Sequence, residues 1–421
     1  MTGFEFSETH QAVEEFLRRY CTEEIEPLVP QLEEGSLSSS EVLRKLSATF
    51  QMKEMFAEPM LMARNKKRNE DEANKSGGSG SGSDPAIPAI LFKELSRVSP
   101  GLSLCLLSTF GCGATIASKA PLELAERLAL PLLSLETVGC WALTEPATGS
   151  DAFAMRTTAT LDGDTVTLNG SKAFISNAPC ADVFLIYARL VEQASDRDDK
   201  TRIFPVVVEK GTPGLTLGKP IRKMGMHACP TGEIFFDDVA VPRSHLLGDP
   251  AKPARDVAEA TLSTERAAIV AMCLGVIERC LQDATRYAID REQFGKPIAA
   301  FQLTQQKLAR MFVAKENVQN LLLKLIWLQT EKRGTPAEIS GAKWYATEAA
   351  VSVAMDAVQL MGGMGYSSES APERLMRDIK LWTIGGGTSE IQQLTIAKHL
   401  LRQEGFSIDL AGGYSNDASQ T

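Results

Sequence analysis

Residues 154–170 read Ala154-Met155-Arg156-Thr157-Thr158-Ala159-Thr160-Leu161, then Asp162-Gly163-Asp164, then Thr165-Val166-Thr167-Leu168 and Asn169-Gly170. β-Branched residues on either side of an Asp-Gly turn predict a β-hairpin, because that dipeptide adopts the twisted turn that joins antiparallel strands. Val183–Leu190, Ile203–Val208 and Glu233–Val241 are further β-rich runs between Gly and Pro residues. An antiparallel sheet or small barrel of about seven strands is therefore expected over 136–245.

On both sides of this segment the apolar period changes to that of a helix. Val13, Phe16, Leu17 and Tyr20, then Leu43, Leu46 and Phe50, predict amphipathic helices in a domain over 1–135. Within it, residues 64–84 combine a mixed charge run with a Gly/Ser tract, which buries little apolar area and reads as a disordered insert. After Pro253, four long helical segments at about 255–289, 301–332, 336–362 and 389–404 predict a C-terminal four-helix bundle within 246–409. A polar tail, 410–421, closes the chain. The expected class is α+β: helical domain, β domain, bundle.

With 421 residues, 44% apolar and 23% charged, the chain has the composition of a globular protein. Its net charge of −9 argues against a general electrostatic grip on nucleic acid or an anionic membrane. Eight cysteines lack any C-x-x-C pair and the four histidines lack H-x-x-x-H spacing, so no metal site is expected. Cysteines inside apolar runs, such as Cys105 and Cys273, read as buried thiols of a reducing compartment. With no targeting segment visible and no apolar run judged long enough to span a membrane, the cytoplasm is the expected location.

Three segments carry chemical interest. Trp141–Asp151 sets Thr144 and Ser150 hydroxyls among small residues, able to present donors to a polar ring or a phosphate, though an ordinary turn has the same look. Gly385-Gly386-Gly387 precedes a helix whose Ser389 and Gln392 have capping-box spacing; the stretch reads either as a close backbone approach to a ligand or as a flexible helix entry. Glu265, beside Arg266, stands where a helix turns strongly apolar. Helical glutamates are mostly solvated. One with a restricted water supply has a raised pKa and can accept a proton near neutrality.

The chain resembles the acyl-CoA dehydrogenases through motifs in order along residues 136–405: ALTEPATGSD at 142–151, LNGSKAFISN at 168–177, KMG at 223–225 with EIFFDDVAVP at 233–242, REQFGK at 291–296 with Gln302, QLMGGMGY at 359–366, Arg377-Asp378, and GTSEI at 387–391. The resemblance implies an FAD enzyme. Leu143, Thr144 and Ser150 would line the flavin and ligand cleft, with Phe174 and Ser176 beside the isoalloxazine, where the family has Trp and Thr. Arg291, Phe294, Gln302, Gln359, Gly363, Thr388 and Glu390 would bind FAD, several reaching a neighbouring subunit's flavin, so a homodimer or homotetramer is implied.

In many members a Glu directly precedes Gly-Thr-Ser, where this chain has Gly386. Glycine cannot take a proton. Isovaleryl-type and some long-chain members instead place the base on the first bundle helix, just before an Arg, and Glu265 matches that position. The implied reaction is α,β-dehydrogenation of an acyl thioester in fatty acid or amino acid catabolism: Glu265 removes the α-proton, a hydride leaves Cβ for the flavin, and electrons pass to an electron-transfer flavoprotein. Ser150, Arg266, Gly385 and Gly386 would contact substrate, the glycines leaving room for a branched or wide acyl group. A carrier-protein-tethered substrate, an oxidase, or a flavin-binding scaffold without turnover are the alternatives.

Overall fold

The computed structural model describes residues 5–62, 84–192, 202–250, 255–331, 333–408 and 414–416. The charged and Gly/Ser insert lies outside them except for Asp84. The chain divides into two compact units, one formed by 28–83 and 101–262, the other by 1–27, 84–100 and 263–421.

The first unit is built on a seven-stranded sheet: β1 (Gly139–Ala142), β2 (Thr158–Asp162), β3 (Thr165–Ser176), β4 (Val183–Val191), β5 (Ile203–Glu209), β6 (Leu215–Leu217) and β7 (Thr231–Pro242). The quoted hairpin forms as expected, with Asp162 opposite Thr165 and Gly163 at φ 56°. Most pairings are antiparallel, but β1 and β2 both run parallel to β4. Alternation along a strand reports which face is buried and carries no information on the direction of its neighbour, so these two pairings were not legible from it.

β4 is apolar at nearly every position and buried along its whole length because both faces are covered. Val183, Leu185 and Tyr187 pack with Cys112, Ile116 and Leu132 from the helical side, whereas Phe184, Ile186, Ala188 and Leu190 share an apolar cluster with Val166 and Leu168 of β3 and Ile234 and Val239 of β7. Cys112 and Ile116 belong to the Pro100–Lys119 helix, whose 20 residues are long and apolar enough to cross a membrane. The sequence reading missed that length. The helix is mostly buried in the protein, as a core helix is.

The second unit carries the long helices Arg255–Asp290 (from Ser263 onward), Gln302–Thr330, Pro336–Tyr366 and Ser389–Gln403, together with Ala371–Ile379. The first four fall on the expected segments. Pro336–Tyr366 packs against Gln302–Thr330, Ala371–Ile379 and Ser389–Gln403. It breaks at Gly362 (φ 60°, ψ −134°), inside the QLMGGMGY motif. The helices Glu8–Tyr20 and Ala86–Val98 belong to this unit as well. A Cβ on Gly275 would stand 2.0 Å from the Lys93 carbonyl, so glycine is what lets the backbones of the Arg255–Asp290 and Ala86–Val98 helices meet. Buried Glu94 takes two hydrogen bonds from Arg18 (3.1 and 2.9 Å), and Arg97 bonds Glu278 at 3.2 Å and Gln282 at 2.6 Å. From the tail, Tyr414–Asn416 pairs antiparallel with Phe406–Ile408.

Candidate functional site

In the helical unit, Glu265 and Arg266 meet the loop that enters the last helix. Gly386 (φ 65°) and Gly387 (φ 86°) adopt left-handed backbone, which glycine adopts without strain. The loop turns its carbonyls inward. Arg266 Nε donates to Gly386 O (3.3 Å), Gln392 Nε2 donates to Gly386 O (3.1 Å) and Gly387 O (2.9 Å), and Lys343 Nζ donates to Gly387 O (2.7 Å). Three side chains from three helices thus fix two peptides of the loop.

A Cβ on Gly386 would lie 3.8 Å from the Glu265 carboxyl carbon and 2.7 Å from Ile269 Cδ1. A side chain at 386 would therefore meet the Ile269 tip first, with the Glu265 carboxyl at ordinary contact distance. On Gly387 a Cβ would press on Gln392 Nε2 at 2.7 Å, whereas at Gly385 it meets nothing closer than 3.6 Å. Burial raises the Glu265 carboxyl to a pKa of about 7, against the opposing pull of the Arg266 and Lys343 cations. Such a group is ionised in part at neutral pH and can take a proton.

Capping differs from the sequence expectation. Thr388, not Ser389, is the N-cap and accepts from the Ile391 N–H (3.3 Å); Ser389 instead donates to Glu348 (2.6 Å). Gln392 is thereby released from the expected capping box and turns to the glycine carbonyls. Glu390 is exposed on the first turn. Arg291 is exposed directly before the paired segments Glu292–Gln293 and Lys296–Pro297, and Phe294 stands in the turn between them with φ 53° and 93% exposure. Gln302 opens the following helix, and Gln359 and Gly363 flank the break at Gly362; all three are exposed.

In the β-rich unit, Leu143 is buried, Thr144 half-buried and Ser150 exposed. A buried ion pair braces their loop against β3: Lys172 Nζ donates to Glu145 Oε1 (2.9 Å) and to the Leu143 carbonyl (2.9 Å), and the Ala173 N–H donates to the Thr144 carbonyl (3.0 Å). The other Glu145 contacts are the N–H groups of Arg156 (2.6 Å) and Thr157 (2.9 Å). Burial pushes Glu145 upward, but the Lys172 ammonium and these hydrogen bonds outweigh it and hold the carboxyl below its usual range. Phe174 sits next in β3 with φ 57° and 65% of its surface exposed, and Ser176 is half-buried two residues on.

Family models for the acyl-CoA dehydrogenase middle domain and C-terminal domain match residues 140–239 and 255–401. A probable acyl-CoA dehydrogenase of Bacillus subtilis (strain 168) is 33% identical over 401 residues, 95% of this chain and 100% of the relative. The chain belongs to the acyl-CoA dehydrogenase family. The structure of butyryl-CoA dehydrogenase from Megasphaera elsdenii superposes with a TM-score of 0.84 at 31% identity, covering 95% of this chain and 100% of that one. A glutaryl-CoA dehydrogenase from Mycobacterium smegmatis, in complex with FADH2, gives 0.80 at 26% identity over 94% and 95% of the two chains. As an acyl-CoA dehydrogenase, the protein is an oxidoreductase acting on CH–CH donors with FAD as cofactor.

The residues of this acyl-CoA dehydrogenase fit that cofactor. A large aromatic ring held exposed in left-handed backbone is a strained, unpaired apolar plane, suited to a flat ring system. Phe174 would take one side of the flavin rings, and the Ser176 hydroxyl and the braced Leu143–Thr144 backbone would supply polar contacts. Among the described residues no group of three or more His, Cys, Asp or Glu is placed to hold a metal ion.

Sequence reasoning missed Lys172, Glu145, Lys343, Gln392 and Ile269. Lysines inside otherwise apolar or small-residue runs, as in Ser340-Gly341-Ala342-Lys343-Trp344, were the available signal: a buried ammonium requires a partner.

Proposed function

We propose that Glu265 is the base that removes the α-proton of an acyl-CoA. The observation that carries this reading is the placement of its carboxyl 3.8 Å from the Cβ direction of Gly386, the position where many relatives of this family hold their glutamate. Its pKa near 7 suits proton transfer at neutral pH, because base strength and ionised fraction are then both adequate. FAD, when bound, supplies the hydride acceptor. Glu265 takes the α-proton and ends neutral, which burial favours, and the neighbouring Arg266 and Lys343 cations stabilise the carboxylate before transfer.

Similarity to butyryl-CoA dehydrogenase supports a short acyl-CoA as substrate. Exposed Phe294, Leu303 and Tyr366 support a homodimer or homotetramer, since apolar surface of that extent is ordinarily covered. An electron-transfer flavoprotein is the proposed acceptor, in keeping with the family. A cytoplasmic location is supported by eight cysteines that are all free, seven of them buried. Anaerobic bleaching of the flavin by a panel of acyl-CoAs tests the reading: short acyl-CoAs should bleach it, and bleaching by none would refute the substrate assignment.

A further inference from the structure

We propose that Lys343 is a positioning residue of this site, pinning the glycine loop by the Gly387 carbonyl and setting the proton affinity of Glu265. The inference rests on the reading of Glu265 as base and deepens it. Lys343 has 0% exposure in the first third of the Pro336–Tyr366 helix, and its Nζ donates to Gly387 O at 2.7 Å. An ammonium taken out of water costs several kcal/mol unless it meets opposite charge. One neutral carbonyl satisfies one of its three donors and none of that charge.

The groups around it decide where the compensating charge comes from. Glu265, Arg266 and Cys273 act on Lys343 from the Arg255–Asp290 helix, Glu348 acts from its own helix, and Glu390 is coupled to it from the last one. Burial pushes the Cys273 thiol up to about 12, so it is neutral at physiological pH. Glu348, which accepts the Ser389 hydroxyl at 2.6 Å, and Glu390 are both exposed to solvent that screens their charge. Arg266 is a like charge. Glu265 is the remaining anion, and the loop that Lys343 pins is the one against which the Glu265 carboxyl lies. Each proton gained by Glu265 therefore removes the counter-charge of Lys343, so the two are reciprocally linked.

The experiment is an infrared pH titration of the Glu265 carboxyl, identified by the band lost in Glu265→Gln, in wild type, Lys343→Met, Lys343→Gln and Lys343→Arg. Lys343→Met should raise the Glu265 midpoint by about one unit or more. Lys343→Gln keeps a donor for Gly387 O without the charge and should raise it similarly, whereas Lys343→Arg should return it most of the way. A purely structural lysine would leave the midpoint in place in Lys343→Gln, and that result overturns the proposal. Should neither neutral variant fold, reciprocity supplies the test: the 13Cε shift of Lys343, assigned with Lys343→Arg, must titrate at lower pH in Glu265→Gln than in wild type, and an unchanged midpoint overturns the proposal equally. If the Glu265 midpoint moves as expected while Glu265→Gln still reduces flavin at the wild-type rate, the coupling stands and the assignment of the base falls.

Discussion

The Glu265 carboxyl and the missing side chain of Gly386 share one space: a Cβ at 386 would lie 3.8 Å from the carboxyl carbon and 2.7 Å from Ile269 Cδ1. A side chain at 386 would thus touch the Glu265 carboxyl at ordinary contact distance, and Ile269 Cδ1 is the atom that obstructs it. Gly386→Ala is expected to cost about 2 kcal/mol, from left-handed backbone and the contact with Ile269. Ile269→Val removes the obstructing methyl, so the double mutant should be more stable than the sum of the two single effects by about 0.5 kcal/mol or more. Chemical denaturation of the four proteins measures this coupling; strict additivity would mean that Ile269 is not the obstacle.

The same geometry makes a rescue prediction. In a Glu265→Gln, Ile269→Val background, Gly386→Glu brings a carboxylate to the space Glu265 leaves and should restore part of the rate of flavin reduction by a straight-chain acyl-CoA. No recovery in a folded, FAD-loaded protein would show that the two positions do not serve the same substrate atom.

The raised pKa of Glu265 has a sign that stability can read. A carboxyl at about 7 when folded and near its ordinary 4.5 when unfolded binds more protons in the native state, so its contribution falls as pH rises from about 4.5 to 7 and is then constant. Glu265→Gln should remove this loss and gain most in stability, relative to wild type, above pH 7. Thermal melts of both proteins across that range check it; parallel curves would place the Glu265 pKa near its ordinary value. In wild type the rate of flavin reduction should climb with a midpoint at about pH 7, because the ionised form is the active one.

The buried Lys172–Glu145 pair braces the Leu143–Thr144 backbone. Lys172→Met leaves an uncompensated buried carboxylate and should cost about 3–5 kcal/mol. FAD affinity should fall along with stability, because the Leu143 carbonyl loses its anchor. Calorimetric FAD titration of the apoprotein decides the second effect: unchanged affinity in a destabilised protein would make the pair purely structural.

The hairpin at Asp162-Gly163 and the four bundle helices were readable because each has a local period and local stop signals. Glu265 was singled out from the sequence because a glycine at 386 and an unusual helical glutamate explained one another, and the fold brings the two positions together. The parallel pairings of β4, the meeting of Gly275 with Lys93, and the three side chains that hold the glycine loop all join residues far apart in sequence. Periodicity reports one element at a time, so contacts of that kind leave no pattern in it. Gln392 shows the hazard directly: its spacing from Ser389 matched a capping box, yet its side-chain amide donates to the carbonyls of Gly386 and Gly387.

Anaerobic stopped-flow reduction of the bound flavin by a short acyl-CoA, in wild type and Glu265→Gln at matched FAD content, measures the proton-transfer role most directly. Glutamine keeps the size and hydrogen-bonding capacity of the residue but cannot accept the proton, so the rate should fall by about 10²–10⁴-fold with FAD retained. Reduction of the Glu265→Gln flavin at the wild-type rate would contradict the assignment and place the proton acceptor elsewhere.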